Sequence, residues 1–397
     1  MDQNRVVIIG GDHQNTLGVI RALGANGYIT DVMIHGIAKK RPLCFHSKFC
    51  TGQKLVVSES EPELIRTLLL LENTGTAVVP TSDFAQYCID KHYNDLKRSF
   101  ILPSIDCQQG QICKYMDKLE QVQFVQGAHI RTAKSAALYL SDVTASDIET
   151  CISTVGFPCI LKPQVSAQGS KSDISLAKNE AEFKEQLQSF VQKGYMQILV
   201  QEYIQKSYEL CTFGCITRNT GTAHYGTLKK IRYYPYKDGA SLSYACFVEN
   251  NPRILQVIEF LKKIGYNGLF DFEMFAVGND FILNEINFRN SGNSWALIQN
   301  GLNAPAIWVD DVYGVSCLKT DTVFDRPDCY FMNETSDIHY VLDKKISFEN
   351  WLYQLNRVSA FNKFDKDDIR GTLPWYWDMI VSKLKRGFGR IGHSASR

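Results

Sequence analysis

The sequence predicts an α/β protein of more than one domain, and three stretches carry that prediction. The first hundred residues alternate short β-branched runs with helical patterns, the mark of a parallel, doubly wound sheet. Residues 133–204 read as an αβ unit, a Gly/Ser loop and a βαβ unit, enough for a small lid. Phe270 to Gly292 reads as a β-hairpin with one apolar and one acidic face. With 397 residues, 45% hydrophobic and 21% charged, the chain has the composition of an ordinary globular protein of two or three domains.

In order, Val6 to Ile9 ends in Gly10-Gly11 and is followed by Leu17, Ile20 and Leu23 at helical spacing: strand, glycine turn, helix. Strands at Asp31–His35, near Lys54–Val57 and in TAVVPTSD continue the alternation, with a helix from Pro62 to Leu71. The first turn lacks G-x-G-x-x-G and is no dinucleotide fingerprint. Strand ends in such sheets form clefts, so Asn15, Ser82 and Asp83 are candidates for holding an organic substrate, the alternative being that they cap helices. Residues 104–132 read as a connecting helix containing Lys114, Asp117 and Lys118. Helices are expected at Ala145–Val155, Glu180–Gln192 and Pro252–Gly265, and SWALIQNGLNAPAIWVDDVYG reads as a helix, a break at Pro305 and another helix. The strand GFPCILKPQ delivers Lys162, and VSAQGSKSD after it is too poor in glycine for a Walker loop. The basic end KLKRGFGRIGHSASR reads as a solvated tail.

Lys+Arg 43 against Asp+Glu 42 leaves a net charge of +1, which argues for no nucleic-acid or membrane partner and for a small-molecule one. Twelve cysteines at irregular positions, mostly inside apolar runs, suit a reducing compartment; Cys211 and Cys215 have no second Cys or His pair to make a zinc site. The opening MDQNRVVIIGG holds an apolar run of four residues, too short for a secretory signal, so the expected location is cytoplasmic.

The hairpin is the chemical centre. Alternation puts Phe270, Phe272, Met274, Ala276, Ile282, Ile286 and Phe288 on a core face, and Asp271, Glu273, Glu285, Asn287 and Arg289 on the other. A three-residue loop Gly278-Asn279-Asp280 would set Glu273 opposite Glu285; a shifted turn would pair Glu273 with Asn284 instead. Facing acids repel, and a hard divalent cation between them would remove the repulsion while accepting phosphate oxygens. The alternative is an edge hairpin whose charged face meets water.

Asp117-Lys118, ILKP at Ile160–Pro163, VQEYI at Val200–Ile204, FEMF at Phe272–Phe275 and NEINFR at Asn284–Arg289, in that order, resemble the ATP-grasp superfamily. The resemblance covers about residues 1–315 and implies a Rossmann-like pre-ATP-grasp domain (1–103), an ATP-grasp domain (104–315, lid 133–204) and a carboxy-terminal extension (316–397). It implies ATP and Mg²⁺ or Mn²⁺ as cofactors. Lys118 and Lys162 would reach the phosphates, with Lys171 sharing the role. Gln201, Glu202, Tyr203 and Ile204 would read adenine, and Glu209 would bind the ribose. Glu273, Glu285 and Asn287 would hold the metal, and Arg289 would meet the transferred phosphate. The branch it is most similar to is that of carboxylate-amine ligases related to D-aspartate ligases and carbamoyl phosphate synthase. It implies an ADP-forming reaction through an acyl phosphate, on a carboxylate and an amine such as an amino acid, in a chain that could pair as a homodimer. Arg232 is a candidate second clamp on the acid, or an ordinary surface arginine. The alternatives are an ATP-binding regulatory protein without turnover and a carboxylase or acid-thiol ligase of the same superfamily.

Overall fold

The computed structural model describes residues 4–36, 41–71, 74–164, 173–236 and 240–394, with side chains described as far as Val381. Three sheets organise them. The first is parallel, formed by β1 (Arg5–Gly10), β2 (Ile29–His35), β3 (Lys54–Val57), β4 (Thr76–Pro80) and β5 (Phe100–Ile101) in the order β3-β2-β1-β4-β5. Val6, Ile8 and Val32 face one apolar layer while Val7, Ile9 and Met33 face another, as strands covered on both sides require. Strand order reverses between β1 and β4, so the loops after these two strands splay apart and leave a crevice. At the floor of the crevice the two strand ends still touch: a Cβ on Gly10, the last residue of β1, would sit 1.8 Å from Thr81 Oγ1.

The short strand β6 (Ser104–Ile105) leads to the second sheet, built from β7 (Ser135–Tyr139), β8 (Cys159–Pro163), β9 (Ser175–Ala177) and β10 (Gln197–Glu202) in the antiparallel order β7-β10-β8-β9. Helices Ala145–Val155 and Glu180–Gln192 occupy the residues expected of them. Their apolar faces, with Cys151, Val155, Phe183, Leu187 and Phe190, bury Leu161, Ile198 and Val200.

The third sheet is the largest. It runs β15 (Asp280–Asn287), β14 (Tyr266–Val277), β11 (Tyr208–Ile216), β12 (Ala223–Tyr234), β13 (Ser241–Phe247), β17 (Tyr330–Met332) and β18 (Val358–Phe361), with β16 (Thr322–Phe324) beside β12 and β6 beside β14. One face packs on helix Pro252–Lys263, the other on helix Ala304–Tyr313 and the first sheet's helix Gln14–Ala25. No helix among the described residues is long and apolar enough to cross a membrane.

Two expectations of the sequence need correction. The connecting segment is two helices, Gln111–Met116 and Lys118–Gly127, because the Asp117 carboxylate accepts the amides of Leu119 and Glu120 and starts a new helix. The two helices expected around Pro305 are present, Trp295–Gln299 and Ala304–Tyr313, but the break falls at residues 300–303, and Pro305 opens the second helix in its first turn, where a missing N–H costs nothing.

The last 80 residues are tied to the first sheet. Arg21, fully buried, donates to Asp368 Oδ2 (2.9 Å), the Lys363 carbonyl (2.9 Å) and Thr372 Oγ1 (2.9 Å), and its guanidinium lies 5.6 Å from the Trp295 ring centre. Removing one partner of a buried pair strands the other charge. Arg21→Met is therefore expected to destabilise the chain by roughly 3–5 kcal/mol in denaturant titration; a loss below about 1 kcal/mol, the scale of an exposed pair, would contradict the tie.

Candidate nucleotide and metal site

The hairpin β14–β15 brings the two acids together by a different route from the one the sequence suggests. Its turn is Gly278-Asn279 alone, with Val277 opposite Asp280 and Gly278 at φ +58°, so the register starts one residue out. Pairing runs on to Met274 opposite Leu283. Asn284 is then bulged out, the register shifts by one, and Glu273 falls opposite Glu285, Phe272 opposite Ile286 and Asp271 opposite Asn287. The bulge also corrects one face: Leu283 joins Met274, Ile286 and Phe288, while Ile282, equally buried, pairs with Phe275 on the other side.

A buried cation already serves this acidic face. Lys230 on β12 donates to Glu273 Oε1 (2.9 Å) and Glu209 Oε2 (2.7 Å), while Lys206 lies 3.3 Å from Glu209 Oε1. Burial alone would lower the Lys230 pKa, but the Glu273 and Glu209 charges outweigh it and hold the ammonium well above its usual range. Both oxygens of Glu209 are engaged. Lys230 was not singled out in the sequence; the signal available was a lysine pair, Lys229-Lys230, inside a long apolar strand.

Further along the same face, Arg289 donates from Nε to Asp83 Oδ1 (3.1 Å) and from Nη1 to Asp271 Oδ2 (3.0 Å). Asn287 Nδ2 donates to Asp271 Oδ1 (2.6 Å), which leaves the Asn287 amide oxygen as the group available to a cation. Burial, reinforced by Glu273, raises Asp271 above the usual carboxylate range against the pull of Arg289. Asp83 thus joins the hairpin to the first sheet. Ser82 caps helix Asp83–Lys91 through the Ala85 amide and lies 2.7 Å from His35 Nε2. Asn15 donates to the carbonyls of Thr81 (2.8 Å) and Asn290 (2.6 Å), clamping the crevice to the loop after β15.

Lys118 and Lys162 approach the acids from the other side. Lys118 lines a small cleft with Asp83, Gln121, Glu285 and Asn287, and its Nζ donates to the Pro163 carbonyl (3.1 Å). Lys162 on β8 donates to Gln201 Oε1 (2.9 Å) and is pushed down to about 8 by burial and by Lys118, with Glu285 and Glu273 opposing. Gln201 spends its amide on Lys162 and on Ser135 Oγ (3.0 Å). The backbone amides of Glu202 and Tyr203 donate to the carbonyls of Lys134 (2.9 Å) and Pro158 (3.0 Å), which ties the end of β10 to the neighbouring segments. Lys171 lies outside the described residues.

Arg232 is not brought to this face. Its guanidinium donates to Asp337 (2.9 and 2.6 Å) and Gln354 (2.6 Å), and lies over the Tyr244 ring at 4.3 Å, so it is neither a surface arginine nor a clamp beside the acid pair. Another cation takes part instead. Lys363, buried, donates to Gln14 Oε1 (3.0 Å) and Asn362 Oδ1 (2.7 Å), and burial lowers it to about 8. Its charge, with those of Arg289 and His35, helps burial push His13 down to about 4. Lys363 sits in the extension that the sequence motifs do not reach.

The donor types fit a divalent cation: two carboxylates and one amide oxygen on one strand pair, the oxygen ligands such an ion takes. Among the described residues no group of three or more His, Cys, Asp or Glu side chains is placed to hold a metal ion, at the hairpin or elsewhere, so the set here rests on two carboxylates and the Asn287 amide oxygen.

Residues 123–300 match the family model of the ATP-grasp domain. The chain contains an ATP-grasp domain. It is 27% identical over 143 residues to formate-dependent phosphoribosylglycinamide formyltransferase of Nitratiruptor sp. (34% of this chain, 35% of that protein), and 23% identical over 140 residues to the Sulfurovum sp. protein of that name (34% and 35%). The match thus spans about a third of the length of these curated relatives. Among solved structures, the ATP-grasp chain is similar to N5-carboxyaminoimidazole synthetase from Staphylococcus aureus complexed with ADP, with TM-score 0.62, 16% identity and coverage of 88% of this chain and 86% of that one. It is also similar to biotin carboxylase from Campylobacter jejuni, with TM-score 0.58, 18% identity and coverage of 79% and 72%. At these identities the likeness is one of fold.

The lowered Lys162 generates a prediction. Its ammonium is disfavoured in the folded cleft, a cost carried below pH about 8 and relieved as pH rises from there toward the lysine's usual 10.5. A polyphosphate beside it reverses the preference. Binding of ATP above pH 8 should therefore take up a proton, read as a buffer-dependent heat in calorimetry, and Lys162→Met should abolish it. Uptake unchanged in the variant would place the proton elsewhere.

Proposed function

We propose that the protein is an ADP-forming ligase that activates a carboxylate as an acyl phosphate and joins it to an amine. The observation that carries the reading is the opposition of Glu273 and Glu285, with Asn287 and Arg289 following on the same strand. Such a set suits phosphoryl transfer, where positioning and charge stabilisation suffice and no nucleophilic side chain is needed.

In this reading a bound Mg²⁺ would be held by Glu273, Glu285 and Asn287 and would supply charge neutralisation at the phosphates. Lys118 and Lys162 contact the phosphate chain, and the buried Lys162 ammonium is stabilised by the contact as its pKa recovers. The carbonyls near Glu202 and Tyr203, with Ile204, meet adenine. Glu209, held by Lys206 and Lys230, presents its carboxylate to the ribose only if one of those bonds is shared. Arg289, aimed by Asp83 and Asp271, meets the γ-phosphate and the incoming acid. The acid's oxygen takes the phosphoryl group and ADP leaves; the amine nitrogen then attacks the acyl carbon, loses a proton and expels phosphate. Asp83 acts here by orienting Arg289, not by holding the amine.

The similar proteins bear on the acid. Formate appears in the curated relatives' name, and a structurally similar biotin carboxylase domain from Hydrogenobacter thermophilus was crystallised with MgADP and bicarbonate. Small carboxylates of that kind therefore belong in the substrate panel beside amino acids.

The test is a coupled ADP-release screen of acid and amine pairs. Glu285→Gln should cut metal-dependent ADP formation more than about a hundredfold, the loss of several kcal/mol of charge stabilisation, while circular dichroism stays unchanged. Turnover by that variant at the wild-type rate would remove the acid pair from the reaction.

A further inference from the structure

The C-terminal helix Ile369–Ser394 is anchored at its start and, as far as Ile380, uncovered along one side. Thr372 is buried against Arg21, the Lys363 ammonium lies 5.0 Å from the Trp375 ring centre, and Tyr376 donates to Glu334 Oε1 (2.8 Å). Leu373, Trp377 and Ile380, spaced four and three apart, are instead 59%, 69% and 46% exposed. Spacing of that kind makes one strip of a helix surface. Phe364 and Ile369 near its foot add two further exposed apolar side chains. A strip of this size on a globular body normally meets a partner.

Charge says which partner. Between Ile369 and Ser394 the sequence holds Arg370, Lys383, Lys385, Arg386 and Arg390 against a single acid, Asp378, while the spacing of Leu373, Trp377 and Ile380 is continued by Leu384, Phe388 and Ile391. At the foot of the strip, Leu373 is one wall of a pocket of about 430 Å³ whose charged lining is Arg41, Lys48, Lys54 and Arg370, with His46 and no carboxylate. Burial, with the Arg41 and Lys54 charges, keeps His46 below its usual pKa, so these cations act on one space. A second copy of the chain would bring the same positive charge to the same place. An anionic lipid surface offers what both halves lack: acyl chains for the strip and phosphates for the cations.

We propose that Ile369–Ser394 is an interfacial helix that lays the Leu373, Trp377 and Ile380 strip into an anionic lipid surface, with the basic pocket at its foot taking a lipid phosphate. The helix lies on the surface and does not cross it. This runs against the sequence's expectation of no membrane partner, which rested on a balanced net charge; +1 over the whole chain conceals a basic end. It is independent of the ligase reading.

The experiment is co-sedimentation of the full chain with phosphatidylcholine vesicles, with and without phosphatidylglycerol. The protein should sediment with the phosphatidylglycerol vesicles and be released by salt. Trp377→Glu should abolish sedimentation and Trp377→Phe retain it, with both variants keeping wild-type circular dichroism. Lys54→Glu should weaken partitioning by about fivefold or more, the contribution of one basic residue near such a surface. Failure of the wild type to sediment, equal sedimentation with phosphatidylcholine alone, or retention by Trp377→Glu would each overturn the proposal. So would a wild-type oligomer that Trp377→Glu dissociates, which would make the strip a contact between copies.

Discussion

Two carboxylates facing each other across a β-ladder are the constraint around which this molecule is arranged. Glu273 and Glu285 repel, and a strand pair with nothing more would slip or splay to separate them. Instead the bulge at Asn284 forces them into opposition, and cations close in from three elements: Lys230 from β12, two strands along the sheet from β14, Lys162 from the second sheet and Arg289 from the end of β15. The acids are thus neutralised in part before any ligand arrives. On the proposed function, a metal with its phosphates would enter a site whose charges are already placed, so that binding would exchange partners and not have to assemble them.

The first sheet and the C-terminal segment serve that face from behind. Asn15 bonds the loop after β4 to the loop after β15, Asp83 aims Arg289, and Arg21 fastens the segment that carries Lys363. Each of these contacts joins residues far apart in sequence, so the crevice is a product of packing between layers and not of one element. Lys363 and Arg289 bring positive charge to it, enough with burial to hold the neighbouring His13 imidazole neutral at ordinary pH.

Much of this was legible in the residues. Alternation of β-branched runs and helical spacing gives the parallel sheet, and the helices Ala145–Val155 and Glu180–Gln192 show their bounds because each begins at a capping residue, Thr144 and Asn179. The acid face of the hairpin was readable from period two alone. What was not readable depends on single backbone irregularities and on distant pairs. The two-residue turn and the bulge cancel in register but put Leu283 in place of Ile282 on the Met274 face. Lys230 looks like any strand lysine until Glu209 and Glu273 flank it, and Arg232 looks like a free cation until Asp337, more than a hundred residues on, claims it. A pair that closes across such a separation leaves no local pattern.

The claim that Glu273 and Glu285 share one metal with a nucleotide is open to direct observation. Crystals grown with Mn²⁺ and a non-hydrolysable ATP analogue would locate the metal by its anomalous scattering. The account predicts a peak bridging Glu285 and Glu273, in reach of the Asn287 amide oxygen and the analogue's phosphates. A peak that binds the phosphates but neither glutamate, or an ordered nucleotide with no metal at the hairpin, would contradict it.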